Sequence, residues 1–264
     1  MNTVTIHCMD CIEGLRTLAS GSARLIFADP PYNLSGAAHR TVRSGKRVVC
    51  DKGQWDQIKD VHKFNEQWIE ACLHALADDG TLWISGTLHN HPSVGMALKQ
   101  LNCWIINDVI WFKKNAPPLL SANRLAPSTE LIWVASKSKR YYFNYRLAKE
   151  INGGKQMRNL WEISAARHVT SHPAEKPVAL LQRIINIASE PGDLVVDPFT
   201  GSGTTAVVAH ALGRNFTGFE LDEDYAAMAR KRVADIHIDI DSSVNQPTPQ
   251  QTHAPAAAQI HLLD

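Results

Sequence analysis

Two short stretches of the chain carry residue types that could do chemistry on a flat heterocycle. The first is Asp29-Pro30-Pro31-Tyr32. Its consecutive prolines fix the backbone, the aspartate supplies an ionised acceptor, and the tyrosine supplies a rigid ring able to stack. The second runs Asp197-Pro198-Phe199-Thr200-Gly201-Ser202-Gly203-Thr204-Thr205. Two glycines there permit a tight turn and close backbone approach, and a helix opening behind them offers free amides and partial positive charge. No lysine follows the second glycine, which disfavours a P-loop NTPase, and the third glycine of the dinucleotide fingerprint is missing. Glu220 stands roughly twenty residues further on, where an acid can hold ribose hydroxyls. Taken alone, the first stretch is a β-turn with a packed tyrosine, and Glu220 is a solvated acid at a strand end. Taken together they suggest two sides of one nucleoside-binding crevice, because ligands of open α/β sheets collect at the carboxyl ends of strands.

The elements that must position these residues follow from the apolar pattern. Short apolar runs mark strands at Val4–Cys8, Arg24–Ala28, Thr81–Ser85, Trp104–Phe112, Glu130–Ala135, Leu194–Val196 and Asn215–Phe219. Helical apolar spacing marks Val61–Ala77 and Pro177–Ser189, and in the second Val178, Leu181, Ile184, Ile185 and Ala188 share one face. Pro177 suits its first position. The alternation predicts an α/β chain with a mainly parallel sheet. Residues 136–175 are basic, aromatic and glycine-interrupted without that alternation, and look like an inserted functional segment. His89-Asn90-His91 is expected to be a polar loop. From residue 241 to the end the chain is rich in Pro, Gln, Ala and Ser and holds no Lys or Arg, so it is expected to be a disordered tail.

Composition narrows the class. The 264 residues are 44% apolar and 20% charged, which suits a folded globular chain and excludes a fibrous or wholly disordered one. The formal net charge of +1 excludes a histone-like polycation, so any nucleic-acid site must be a local patch. Two basic clusters offer one. Arg40, Arg43, Lys46 and Arg47 follow the D-P-P-Y turn, and twelve Lys or Arg against four acids lie between residues 113 and 176, among them Lys113, Lys114, Lys137, Lys139, Arg140, Lys155 and Arg158. Tyrosines 141, 142 and 145 and Trp161 are interleaved with the second cluster, which favours phosphate and base contact over a solvated face. Five scattered cysteines argue for a reducing cytoplasm. Cys8 and Cys11 lack a second ligand pair, so they are expected to be two small buried thiols, with no metal site. The N-terminus does not resemble a signal peptide and no run of about 18 apolar residues occurs, so no membrane partner is expected.

At this point residues 3–235 resemble the β-class DNA adenine-N6 methyltransferases. D-P-P-Y comes early and D-P-F-x-G-S-G-T-T late, the circularly permuted order that defines that class. Residues 44–55, Trp83-Ile84-Ser85-Gly86, Ser128-Thr129-Glu130 and Gly154-Lys155-Gln156 look most like enzymes that modify GATC or GANTC sites. The resemblance implies that Asp29 and the Pro30 carbonyl accept the hydrogens of the adenine amino group, that Pro31 completes the turn, and that Tyr32 stacks on the flipped base. It implies S-adenosylmethionine as cofactor, lined by Asp29, Asp197, Phe199, Gly201, Ser202 and Gly203, with Glu220 on its ribose and Asp10 toward its adenine. Residues 171–177, Ser-His-Pro-Ala-Glu-Lys-Pro, resemble a segment that contacts the methionine part. Ala174 and Glu175 replace the usual Thr and Gln there, leaving Lys176 to pair with a carboxylate, and Met9 replaces the usual Gly before Asp10.

The fold expected is therefore a doubly wound, Rossmann-like methyltransferase sheet. Residues 1–135 form its catalytic half, 136–170 a target-recognition insertion, 171–240 the cofactor half and 241–264 the tail. Double-stranded DNA is the expected substrate. Single-stranded DNA, a homodimer and a cognate restriction endonuclease stay open, as does an orphan modification enzyme. The rivals are cytosine-N4 methylation, whose enzymes more often carry Ser at the Asp29 position, and, from other classes, a nucleotide-dependent NTPase or a non-catalytic nucleic-acid-binding module.

Overall fold

The computed structural model describes residues 2–32, 36–43, 46–50, 58–119, 123–166 and 175–235, with the backbone alone for 36–50. Among the described residues ten strands and seven helices follow in the order β1(Val4–Cys8), α1(Cys11–Thr17), β2(Ala23–Ala28), β3(Gly36–Arg43), β4(Lys46–Cys50), α2(Val61–Ala75), β5(Leu76–Gly86), α3(His91–Gln100), β6(Trp104–Phe112), β7(Thr129–Ser136), α4(Tyr145–Ile151), β8(Leu160–Glu162), α5(Val178–Ala188), β9(Leu194–Asp197), α6(Thr204–Ala211), β10(Asn215–Glu220) and α7(Glu223–Ala234). Eight strands make one sheet, ordered β1-β10-β9-β2-β5-β7-β6-β8, and β3 and β4 pair as a separate hairpin. All neighbours in the sheet run parallel except β7, which is antiparallel to both β5 and β6.

The central strands read as continuous apolar runs because both their faces are covered. Along β2, Leu25 and Phe27 point into one buried cluster, shared with Val195, Leu180, Ile184 and Phe216. Ile26 and Ala28 point into the other, with Val196, Trp68, Leu82 and Leu15. Side chains alternate across a strand, so these two clusters lie on opposite faces of the sheet. Helices α1, α2 and α3 pack together, as do α4, α5, α6 and α7. The chain is thus doubly wound, as its sequence predicts. Helix α2 is capped by Asp60, whose carboxylate accepts from the Lys63 N–H at 3.0 Å, and it buries Trp68, Ile69, Cys72 and Ala75 completely. Helix α5 begins after Pro177 and buries six of its apolar side chains, Leu180 to Ala188, to 1% exposure or less.

Three expectations need correction. His91 opens α3 and Asn90, 1% exposed, folds its side chain back to accept from the Thr87 N–H at 3.0 Å, so His89-Asn90-His91 is a helix start rather than a polar loop. Residues 136–166 do continue the strand and helix alternation: α4 and β8 bring Ala148, Ile151 and Trp161 into the main core, their apolar residues having been obscured by the basic ones between them. The expected pair of buried thiols is split, with Cys11 buried and Cys8 exposed. Strand β1 edges the sheet beside β10, so strands from the two ends of the chain are neighbours. The expected tail at 241–264 lies outside the described residues.

Gly203 caps α6 at φ +83°, and a Cβ there would come within 2.9 Å of the Ala229 Cα on α7. Gly203→Ala therefore meets both a left-handed backbone and a wall of main chain. It is expected to cost about 2 kcal/mol or more, and to lower Tm by at least roughly 4 °C in a thermal melt. An unchanged melt would contradict this packing of α6 on α7.

Candidate active site

Strands β2 and β9 lie side by side, Ile26 opposite Val196, and run in the same direction. Their carboxyl ends therefore deliver Asp29-Pro30-Pro31-Tyr32 and Asp197-Pro198-Phe199 to one edge of the sheet. A small cleft, open to solvent, forms between them and is lined by Phe27, Asp29, Lys176, Asp197, Phe199 and Gly201, among others. The D-P-P-Y turn and the glycine turn, remote in sequence, share a single site.

On the D-P-P-Y side the polar groups form a closed network. The Tyr32 hydroxyl donates to Asp29 Oδ1 at 2.5 Å and lies 3.2 Å from Ser85 Oγ and 3.4 Å from Glu130 Oε2. Lys176 Nζ donates to Asp29 Oδ2 at 2.5 Å and lies 3.3 Å from Glu130 Oε2. Lys113 Nζ holds the other Glu130 oxygen at 2.5 Å. Burial raises the Tyr32 hydroxyl well above its ordinary range, helped by the Asp29 and Glu130 carboxylates, so it stays a donor. Burial alone would raise Glu130, but the ammonium groups of Lys176 and Lys113 outweigh it and bring the carboxyl down to about 2. For Lys176, burial pulls downward and is outweighed by Asp29 and Glu130, so the ammonium persists.

On the glycine side, the Gly201 N–H donates to Glu220 Oε2 at 2.7 Å and the Asp222 N–H to Oε1 at 3.0 Å. Burial nevertheless raises the Glu220 carboxyl, the backbone donors opposing it. Asp197 is 2% exposed and accepts from the Phe199 N–H at 2.9 Å. Its carboxyl is pushed up to about 7 by burial, against hydrogen bonds from Thr205 and Phe199. Phe199 stands edge-on to Trp68, centroids 5.3 Å apart, which fixes its ring against α2. Arg232 on α7 clamps the turn, donating to the Ser202 carbonyl at 2.7 Å and pairing with Glu175 at 2.8 Å. Asp10 caps α1, accepting from the Ile12 N–H at 2.8 Å and the Glu13 N–H at 3.1 Å, and so serves the fold as well as any ligand nearby. Once Arg232 has answered Glu175, Asp29 and Asp197 face Lys176 as the remaining lining cation. That balance, with Glu220 beside it, suits a ligand bearing hydroxyls and positive charge.

The DNA-binding candidates divide by strand direction. Lys113 and Lys114 leave β6 at the site edge, but Lys113 is engaged by Glu130, and Lys114 lies 3.4 Å from Glu162. Lys155 and Arg158 precede β8, whose residues pair with the last turn of β6, Ile110 to Phe112. Lys137, Lys139 and Arg140 are not brought to the site. They follow β7, whose antiparallel course ends at the opposite edge, where Lys137 faces Asp78 at 3.6 Å and Lys139 covers Trp104. Arg40, Arg43, Lys46 and Arg47 sit on the β3–β4 hairpin, with Arg43 paired to Lys46 in its register. Sequence reasoning quoted Ser85 and Glu130 only within segments that resemble the family, without a role at the site, and overlooked Arg232. The signal for Glu130 was an acid at the start of a strand, which reaches the site because β7 alone runs backwards.

A family model described as DNA methylase matches residues 23–231. The chain belongs to that family. It is 44% identical over 241 residues to the type II methyltransferase M2.DpnII of Streptococcus pneumoniae, covering 87% of this chain and 89% of that one. It is 41% identical over 242 residues to M2.LlaDCHI of Lactococcus lactis subsp. cremoris, covering 88% and 89%. Among solved structures, the M1.HpyAVI–SAM complex superimposes with a TM-score of 0.67 at 25% identity, over 88% of this chain and 99% of that one. The PvuII cytosine-N4-specific methyltransferase shares the fold at a TM-score of 0.71 and 20% identity, over 94% of each. Among the described residues no group of three His, Cys, Asp or Glu side chains could hold a metal, and no helix is long and apolar enough to cross a membrane.

Asp197 yields a pH prediction. The folded chain keeps this proton up to about pH 7, whereas the unfolded chain releases it in the ordinary carboxylate range, so its burial lowers stability as pH rises between the two. Asp197→Asn removes that titration. Urea unfolding from about pH 4 to pH 7 is expected to show a smaller loss of stability in the variant; equal slopes would refute the buried proton.

Proposed function

We propose that this methylase transfers the methyl group of S-adenosylmethionine to the N6 amino group of adenine in a short GATC- or GANTC-like site of double-stranded DNA, in the cytoplasm, as the modification half of a restriction–modification pair. The observation that carries this reading is the meeting of Asp29 with Asp197 and Gly201 across one cleft, with Glu220 hydrogen-bonded to the Gly201 N–H. The type II relatives, at 38 to 44% identity, support the pairing with an endonuclease.

The cofactor, when bound, supplies a methyl group on a positively charged sulfur. Glu220 would accept from its ribose hydroxyls, and Phe199 and Gly201 would line it. The exocyclic nitrogen of adenine is a poor nucleophile because its lone pair is delocalised into the ring. Asp29 and the Pro30 carbonyl draw on its two hydrogens, favour a tetrahedral nitrogen and localise the lone pair for attack. As the new N–C bond forms the nitrogen must shed a proton, and Asp29, already hydrogen-bonded to it, receives that proton. Tyr32, protonated and bonded to Oδ1, fixes the carboxylate's direction. The same frame could serve cytosine, but an aspartate at position 29 suits adenine by the family resemblance.

Digestion of methylated DNA to nucleosides is expected to yield N6-methyladenine, and recovery of N4-methylcytosine instead would overturn the assignment. Asp29→Ala is expected to lower turnover by at least about 10²-fold with cofactor affinity little changed in calorimetric titration, because Asp29 serves the acceptor. Replacing Arg40, Arg43, Lys46 and Arg47 by Gln should weaken binding to all sequences alike and flatten the salt dependence by up to about 0.9 for each phosphate no longer neutralised. Failure to discriminate between cognate and scrambled duplexes would instead make that loop a base reader.

A further inference from the structure

Each oxygen of the Asp29 carboxylate already accepts a short hydrogen bond before any substrate arrives. Oδ1 takes the Tyr32 hydroxyl and Oδ2 takes the Lys176 ammonium, each at 2.5 Å. An incoming amino group needs one of these oxygens. Tyr32 is 8% exposed and its hydroxyl is also held between Ser85 and Glu130, so it is poorly placed to withdraw. Lys176 is the partner that can yield, because an ammonium on a four-carbon stem carries three donors that swing between acceptors. It is also 8% exposed, and a buried cation cannot be left without an anion. An anion is already in reach. Glu130 Oε2 lies 3.3 Å from Nζ, and Glu130 is anchored from its far side by Lys113.

We propose that Lys176 keeps the seat of the target amino group on Asp29, and that Glu130 is the second seat onto which Lys176 moves when the base enters. Asp29, Glu130, Lys176 and Lys113 balance two negative against two positive charges, so the slide from one carboxylate to the other leaves the site's net charge unchanged. Glu130 is then a positioning residue that acts through Lys176. This inference rests on the adenine reading above. It differs from the expectation that Lys176 serves the cofactor, because it makes Lys176 a competitor of the substrate amine.

The test measures affinity for two duplexes, one carrying adenine and one carrying purine, which lacks the amino group, at the target position, with S-adenosylhomocysteine present. Base-pair opening contributes equally in every variant, so the ratio of adenine to purine affinity reports the amino group's contact when compared across variants. Lys176→Met preserves the length of the side chain and leaves each carboxylate a hydrogen-bond donor, since Asp29 keeps the Tyr32 hydroxyl and Glu130 keeps Lys113. It is expected to raise the ratio on the order of tenfold, the scale of one hydrogen bond to a charged group. Glu130→Gln is expected to lower the ratio by leaving Lys176 on Asp29, and the double variant to match Lys176→Met. An unchanged or lower ratio in Lys176→Met overturns the proposal, and that comparison decides it even if Glu130→Gln fails to fold. An unchanged ratio in a folded Glu130→Gln removes the second seat and overturns it too. Should the wild-type protein transfer no methyl group to adenine, the adenine reading itself fails, a result separate from any of these ratios.

Discussion

Everything at the site depends on the parallel pairing of β2 with β9, where Leu25 meets Val195 and Ile26 meets Val196. These strands come from opposite ends of the chain, and hydrogen bonding alone would allow other neighbours. The two buried clusters make this order specific, because each strand has apolar side chains on both faces and only a central position covers both. The pairing sets the function as well as the core. Two strands in the same direction end at the same edge, so whatever follows them must meet. One is followed by an acceptor turn and the other by a glycine turn, and the cleft between them is the consequence.

A second constraint comes from the single reversed strand. Because β7 runs against its neighbours, its beginning rather than its end lies beside Asp29, and Glu130 arrives with it. Strand β5 brings Ser85 to the same edge. A carboxylate so deeply placed requires cations, and they come from the far sides of the sequence: Lys113 from the end of β6 and Lys176 from the approach to α5. The cluster thus ties four separate segments into one charge-balanced unit. Each member is costly to bury alone and tolerable only with the rest, so the acceptor turn is held in place by electrostatics as well as by its prolines.

The parts of this site that were legible in the sequence are those written in local turn chemistry. Asp29-Pro30-Pro31-Tyr32 and the Gly201–Gly203 turn need specific residues at specific spacing, and Glu220 follows at the next strand end; the structure joins all three at one edge. What was not legible depends on direction. Lys137, Lys139 and Arg140 look like Lys113 and Lys114 in a charge count, yet the course of β7 carries them to the other edge. The role of Glu130 was missed for the converse reason. Local signals were also open to two meanings: Asp10, with Glu13 three residues on, has the spacing of a helix cap, and its carboxylate does cap α1, although the resemblance pointed to a ligand contact. Helix α4 and strand β8 were hidden because basic residues interrupt the apolar pattern that packs them.

The charges of the cleft bear on the direction of the reaction as well as its site. Asp197 is held up to about 7 by burial, so a cationic ligand beside it favours its ionised form and gains in return. A sulfonium cofactor would suit that environment, and its sulfur charge would go with the methyl group it supplies. On the function proposed above, the thioether product would no longer offset the Asp197 carboxylate, while the nitrogen that gained the methyl group would shed a proton toward Asp29. Both changes weaken the hold of the site on what it has made: one removes a cation from an anionic cleft, the other neutralises the acceptor that bound the amino group. With Asp29 protonated, Lys176 is drawn wholly to Glu130, and it returns to Asp29 as that proton leaves and the base withdraws. Product release and recovery of the resting network are then two sides of the same redistribution of charge.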